Sequence, residues 1–287
     1  MGFGLFCLSG FSDEIAADFD VQLAVVRSLG MKFIELRGAD GQNVSEFSTD
    51  KEDVLVDKLR AAGVGVSSIG SPLGKADIRE DFSLQVELLE RLIRFGKKLG
   101  TKYIRMFSFY IPEGEDPQEH RQEVLDRIRV LRDRAAEADM VLLHENEKGI
   151  YGDTADHCFD LMQELGSPAF GAVFDFANFV QCGEDTLRAF EMLKPYICYV
   201  HIKDADGEKR IVPAGQGCGH LEEILTELYK DGYKGFLSLE PHLADFVGFG
   251  ALEASGNEIK DSADRGEAAF RLAHDALVRL LPEGSIL

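Results

Sequence analysis

Short apolar runs alternate with longer stretches of helical periodicity along this chain. Eight runs are predicted as strands: GLFCLSGFS from Gly4, KFIELRG from Lys32, GVGVSSIGSP from Gly63 and YIRMFSF from Tyr103, then VLLHEN from Val141, AVFDFAN from Ala172, CYVHIKD from Cys198 and GFLSLEPH from Gly235. Their spacing of roughly 25 to 40 residues is that of one strand, one helix and two loops. The intervening segments carry the helical period. In FDVQLAVVRSLG, Val21, Ala24, Val25 and Leu29 are expected to share the buried face, with Gly30 as the stop. Runs from Leu84, Arg121, Leu221 and Glu267 repeat the pattern with charge on the other side. Such alternation implies parallel strands joined by right-handed crossovers. No GxGxxG or Walker loop follows the first strand, which weakens a dinucleotide-binding fold. Unit count and length favour an α/β (β/α)8 TIM barrel, one domain over residues 1–287. The stretch from Gly248 to Arg265 is longer than the other connections and is expected to be a loop or short helix over one rim.

Charge narrows the partners. The net charge of −20 repels phosphate backbones, so nucleic acid is not expected as a partner. No run approaches the ~20 apolar residues of a membrane span, so no membrane partner is expected. Met1 to Gly10 is apolar but short and lacks a basic start, and it reads as a first buried strand rather than a signal peptide. Five cysteines, an odd number without a CxxC pair, fit reduced thiols in a cytoplasmic protein; Cys7 and Cys198, inside apolar runs, are expected to pack in the interior. A homo-oligomer is compatible with all of this.

In a barrel, alternate strand residues point inward and active sites lie at the C-terminal strand ends. The charges at such positions are Glu35 and Arg37 on the second strand, Arg105 on the fourth, Glu145 on the fifth and Asp175 on the sixth. His201 and Lys203 follow on the seventh strand and Glu240 on the eighth. Glu145, Asp175, His201 and Glu240 thus offer three carboxylates and an imidazole at similar heights, a donor set for one divalent metal (Mn2+, Mg2+, Co2+ or Zn2+). The alternative is that they pair with Arg37, Arg105 and Lys203 as buried ion pairs; clustering on four consecutive strands favours the metal. His144 and Asn146 have the opposite parity and are expected to face the helices or the rim. His120, His157, His220 and His274 read as surface residues, and His242 as either a supporting residue of the site or part of a loop.

Two loops are further candidates. SSIGSPLGK, from Ser67 to Lys75, is expected to end the third strand either as a ligand-facing loop, with Lys75 meeting an anion, or as an ordinary turn. VPAGQGCGH, from Val212 to His220, opens a helix where barrels commonly seat phosphate.

The segments LLHENEKGIYGDT, VFDFANF, YVHIKDA and the run from GQG to LSLEPHL resemble the sugar phosphate isomerase/epimerase superfamily, the xylose isomerase-like TIM barrels. GFSDEIAADFDVQL, FIELRG, SSIGSPLGK and IRMFSFY extend the resemblance over nearly the whole chain. It implies, as in the ketose 3-epimerases, one divalent metal held by Glu145, Asp175, His201 and Glu240. The two glutamates then act as catalytic base and acid on either side of the reacting carbon of a sugar or sugar phosphate, through an enediolate. Substrate contacts are expected from Arg37, Lys75, Arg105, Lys203, Asn178 and His242. Three positions depart from the family pattern. Asn178 stands where a DxxH motif has histidine, GQG replaces GEG at Gly215 to Gly217, and the basic residues after His201 are Lys203, Lys209 and Arg210 rather than a matching arginine. The expected function is a metal-dependent isomerase or epimerase of a small carbohydrate. The alternatives are a dehydratase of a keto-polyol such as an inosose, and an inactive sugar-binding relative. A family-2 AP endonuclease is disfavoured by the acidic charge and by the scarcity of strand-end histidines.

Overall fold

The computed structural model describes residues 3–243 and 262–287. Eight parallel strands form the central sheet: β1 (Cys7–Gly10), β2 (Phe33–Leu36), β3 (Gly65–Leu73), β4 (Tyr103–Met106), β5 (Val141–Glu145), β6 (Phe170–Asp175), β7 (Ile197–Ile202) and β8 (Phe236–Leu239). Each expected run overlaps one of them, with β3, β6 and β7 extending one or two residues past the expected bounds. Hydrogen bonding follows the order β1, β8, β7, β6, β5, β4, β3, β2. A parallel bridge between Phe11 and Glu35 joins the two ends, so the sheet closes into a TIM barrel. The helices α1 (Phe19–Ser28), α2 (Thr49–Ala62), α3 (Phe82–Leu99), α4 (Pro117–Glu137), α5 (Ala155–Leu165), α6 (Phe176–Cys182), α7 (Thr186–Leu193), α8 (Leu221–Lys230) and α9 (Ser262–Leu280) lie in the connections and after β8.

Local chemistry starts and stops these helices where expected. Asp18, Ser48, Asp81, Asp116, Thr154, Asp175 and Asp185 cap N-termini with their side chains. Gly63, Gly100 and Gly183 end α2, α3 and α6 in the left-handed conformation, which glycine adopts without a Cβ penalty. Among the described residues no helix is long and apolar enough to cross a membrane.

Three expectations are corrected. The buried face of α1 is Phe19, Gln22, Leu23, Val25 and Val26, while Val21 is 42% exposed. Gln22 turns inward because it satisfies the preceding loop: its amide donates to the Ala16 carbonyl at 2.8 Å, and its oxygen accepts from Ser12 Oγ at 2.9 Å. A polar residue therefore occupies the core face and rotates the apolar stripe. Second, the segment Ser67–Leu73 is not a loop; β3 runs through it, with an irregularity where it pairs with β4 between Ile69 and Leu73. Third, Cys198 is exposed, as is Cys218, while Cys158 is buried and Cys7 half-buried. Cys198 lies near the start of β7 on the face away from the barrel interior, against the backbone of Gly171. Most of the long connection expected from Gly248 to Arg265 lies outside the described residues.

Candidate metal centre

The C-terminal ends of β5 to β8 carry the charged cluster. Glu145 and Asp175 are the last residues of β5 and β6, His201 is next to last in β7, and Glu240 directly follows β8. Parallel pairing sets Asp175 beside His201, and Ser238, two residues before Glu240, also beside His201. The side-chain period of two then turns all four toward the barrel axis at one height. They are buried, and one donor atom from each lies within 4.8 Å of the others. His201 Nδ1 stands 2.8 Å from Glu145 Oε1, 3.6 Å from Glu240 Oε2 and 3.9 Å from Asp175 Oδ2. Among the described residues the buried Asp175 Oδ2 has no hydrogen-bond partner, although Lys203 Nζ lies 3.1 Å away in an ion pair. An orphaned, deeply buried carboxylate oxygen is costly, and three carboxylates with one imidazole around it match the donors a divalent cation takes. The residues fit a metal.

The surrounding cations already offset part of this negative charge. Arg105 is buried beneath Glu145, donating to its Oε2 at 3.0 Å and to the carbonyl of Gly70 at 3.1 Å. Lys203 Nζ donates to Glu240 Oε2 at 3.0 Å. Burial pushes the Glu145 carboxyl upward, yet His201 and Arg105 together hold it below its ordinary range. Burial also dominates at Asp175, and there it raises the carboxyl, since Lys203 is opposed by Glu240 and Glu145. Burial disfavours the Lys203 ammonium, but Asp175, Glu240 and Glu145 keep it charged and raise its pKa. The side chains able to hold a metal are thus also engaged in ion pairs, so the geometry is compatible with both sequence readings of the cluster.

Arg37, Lys75, Arg105, Asn178, Lys203 and His242, the six residues expected to touch substrate, all line one cavity of 310 Å3 at this end of the barrel. Glu240 lines it as well. Each polar group is held in place. Arg37 bonds Asp13 at 2.8 Å, Glu14 at 3.2 Å and Glu240 at 3.4 Å. Lys75 pairs with Glu147 at 2.9 Å and lies 4.7 Å from the centre of the Phe107 ring. His242 contacts Glu14 at 3.1 Å and Glu240 at 3.3 Å, which makes it part of the site's support. Asn178 caps onto Asp175 Oδ1 through its backbone N–H at 2.8 Å, and its amide donates to the Asn146 carbonyl at 2.8 Å. Arg210, by contrast, is exposed and paired with Asp206 and Glu208.

Asn146 is not the outward residue its parity suggested. It is buried and ties β5 to β6, accepting from the Asp175 N–H and donating to the Asp175 carbonyl, both at 3.0 Å. Once β5 ends, the alternation of faces ends with it. His144 does face away from the axis, where its ring bonds Ser108 Oγ at 3.0 Å. His120, His157, His220 and His274 have acidic partners of their own, Glu115, Asp153, Glu223 and Asp275.

The glycine-rich loop after β7 is corrected in its chemistry. Its amides do converge on an anion, but that anion is Asp204. The carboxylate accepts from the N–H groups of Gly215 at 3.0 Å, Gly217 at 2.9 Å, Gly219 at 3.0 Å and Ala205 at 2.9 Å. A nest of N–H donors favours any negative group, and here the chain supplies one itself. The loop is therefore filled and is not a phosphate seat. Two acidic residues outside the expected site set matter here: Asp204 holds the glycine-rich loop, and Glu35 reaches His201 Nε2 at 3.1 Å. Asp204 had no signal beyond its place after Lys203. Glu35 had one, its inward position on β2.

The family model described as xylose isomerase-like TIM barrel matches residues 23–268. The 3-dehydroshikimate dehydratase of Bacillus anthracis is 25% identical over 254 residues, covering 82% of this chain and 89% of that protein. The L-ribulose-5-phosphate 3-epimerase UlaE of Escherichia coli (strain UTI89 / UPEC) is 23% identical over 226 residues, covering 75% of this chain and 78% of that one. Among solved structures, the IOLI protein with a binding zinc atom superposes with a TM-score of 0.75 at 16% identity, over 96% of this chain and 98% of that chain. That likeness bears on the fold.

Proposed function

The chain belongs to the xylose isomerase-like TIM barrel family, and from that premise we propose that it is a divalent-metal-dependent isomerase or epimerase of a small carbohydrate. The observation that carries this reading is the convergence of Glu145, Asp175, His201 and Glu240 around a buried Asp175 oxygen that no hydrogen bond satisfies among the described residues, directly below a polar cavity. These four residues hold the metal, which when bound supplies Lewis acidity that polarises the substrate carbonyl. The chain's own groups do the proton work. Glu240, which lines the cavity, takes the proton from the carbon beside the carbonyl. Glu145 returns a proton from the other side: held ionised in the resting protein, it first takes one from solvent, and Glu240 releases its own to solvent to reset the cycle. Lys203, Arg37 and Lys75 hydrogen-bond substrate oxygens, with Arg105, Asn178 and His242 completing the walls. A cavity of 310 Å3 sits at the small end of the roughly 300–1,000 Å3 range of ligand pockets, which suits a monosaccharide. Its five thiols, all free, suit the reducing cytoplasm in which we place it.

A keto-polyol dehydratase is the second reading. It is favoured by Lys203, a buried ammonium lining the cavity beside Glu240, which suits it to protonate a departing hydroxide. The curated dehydratase among the relatives points the same way.

One screen tests both. The metal-supplemented protein is offered ketoses, ketose phosphates and inososes in deuterated water. Epimerisation or isomerisation places deuterium at the reacting carbon of a product of unchanged mass formula; dehydration yields an unsaturated ketone by loss of water. Glu240→Gln and Glu145→Gln, checked for metal content, are each expected to slow exchange by about 10²–10⁴-fold. Near wild-type exchange in both variants would overturn the two-carboxylate scheme.

A further inference from the structure

Beyond the four side chains of the cluster, a fifth residue reaches His201 from across the barrel. Glu35, from β2, is buried at 1% exposure. Its Oε2 accepts from His201 Nε2 at 3.1 Å and from Ser238 Oγ at 2.7 Å. The edges of Phe11 and Tyr199 pack on the imidazole with ring centres 5.1 Å and 5.8 Å away. The opposite nitrogen, Nδ1, is the one aimed at Glu145, Glu240 and Asp175.

An imidazole binds a cation through a bare nitrogen, and the proton must then sit on the other one. A carboxylate accepts hydrogen bonds and cannot donate them. Facing Nε2, it favours N–H there. Glu145 Oε1 also faces Nδ1, at 2.8 Å, but a cation bound among the cluster carboxylates takes the place of a proton on Nδ1, whereas nothing displaces the one facing Glu35. Such a carboxylate behind a ligand histidine fixes both the tautomer and the ring angle. The alternative, that Glu35 serves only to hold the fold together, fits poorly. Its Oε1 is buried with no hydrogen-bond partner among the described residues, and a half-satisfied buried carboxylate costs stability.

We propose that Glu35 is a positioning residue of the metal centre, holding His201 with Nδ1 toward Glu145, Asp175 and Glu240 and with its proton on Nε2. This rests on the metal-dependent reading above and names a fifth residue that the reading needs.

Zinc is the probe. Its affinity is measured by chelator competition for the wild type, Glu35→Gln, Glu35→Ala and Asp175→Ala, alongside thermal melts of the metal-free proteins. A long-range proton–nitrogen spectrum of the zinc-loaded forms assigns the His201 tautomer. Wild type is expected to carry the His201 proton on Nε2, and both Glu35 variants to bind zinc about 10–100-fold more weakly. The metal-free Glu35→Gln protein should melt no lower than wild type. If both Glu35 variants bind zinc as tightly as wild type with the same His201 signals, while Asp175→Ala loses it, the positioning role is wrong and the metal centre stands. If wild type and Asp175→Ala both fail to bind zinc, the metal centre falls and this role with it. Should Glu35→Ala not fold, Glu35→Gln decides alone.

Discussion

The barrel interior has two layers built from the same strands, and they solve opposite problems. In the lower layer Leu143, Val173 and Tyr199 meet, walled by Tyr103, Val141 and Phe236. Its polar groups are small and mutually satisfied: Ser67 Oγ lies 2.6 Å from Ser9 Oγ and 2.8 Å from the Tyr199 hydroxyl. Two residues further along those strands stand Glu145, Asp175 and His201, with Glu240 two beyond Ser238. Geometry is common to the layers; solvation is not. The lower layer stabilises by burying apolar area, of the order of 25 cal/mol per Å2. The upper layer buries charge, at a cost of several kcal/mol per ion after relaxation unless partners compensate. Stability comes from one layer and chemistry from the other. Glu35, bonded to Ser238 and His201, sits where they meet.

The largest effect should come from breaking the upper layer. Asp175→Ala is expected to abolish metal binding, taking elemental analysis from on the order of one ion per chain to background. In chelator the same variant should lose about 0.5–2 kcal/mol of stability, because Asp175 Oδ1 caps α6. The relief of removing a carboxyl that burial holds up is opposed by the loss of a partner for buried Lys203. Full metal retention would show that the layers do not divide the work in this way.

Breaking the lower layer should do the reverse. Tyr199→Ala removes a fully buried ring and is expected to cost about 3–5 kcal/mol in urea unfolding. Metal content per folded chain should stay unchanged. A variant that kept its stability but lost its metal would place Tyr199 in the upper layer instead.

The smallest effect sharpens the electrostatic side. His144 and Glu145 are adjacent, equally buried, and face opposite ways. Compensation holds Glu145 down against its burial, whereas burial of His144 is opposed only weakly by Glu145 and depresses the imidazole to about 4. The folded state therefore resists protonation that the unfolded chain accepts below its ordinary value of 6.5. The stability tied to neutral His144 is fully present above that value and is lost as pH falls toward about 4. The advantage of wild type over His144→Gln should shrink by about 3 kcal/mol across this window, at 1.36 kcal/mol per pKa unit. Urea midpoints taken from pH 7.5 to 4 measure it. An advantage that stays constant would mean that the His144 site admits the charged ring.

Much of this was legible in the chain because it rests on local periodicity. Val141 to Glu145 and Phe170 to Asp175 show apolar strands that end in a charge, and parallel pairing brings such ends to one level. Where a side chain overrides the period, the reading slips. Gln22 took a core position on α1 by bonding the loop before it. Asn146 turned back to clamp Asp175 once its strand had ended.

The sequence by itself determined the eight-unit alternation, the inward set and the four residues at the strand ends, since periods of two and 3.6 follow from backbone geometry alone. Only the tertiary structure decided what each polar group meets. It brought Glu35 across the barrel from residue 35 to residue 201. It also folded Gly215, Gly217 and Gly219 onto Asp204, so that an apparent phosphate seat holds the chain's own carboxylate. A side chain's partners depend on closure of the barrel, a contact between segments far apart in sequence, and no local pattern encodes which donor will find which acceptor.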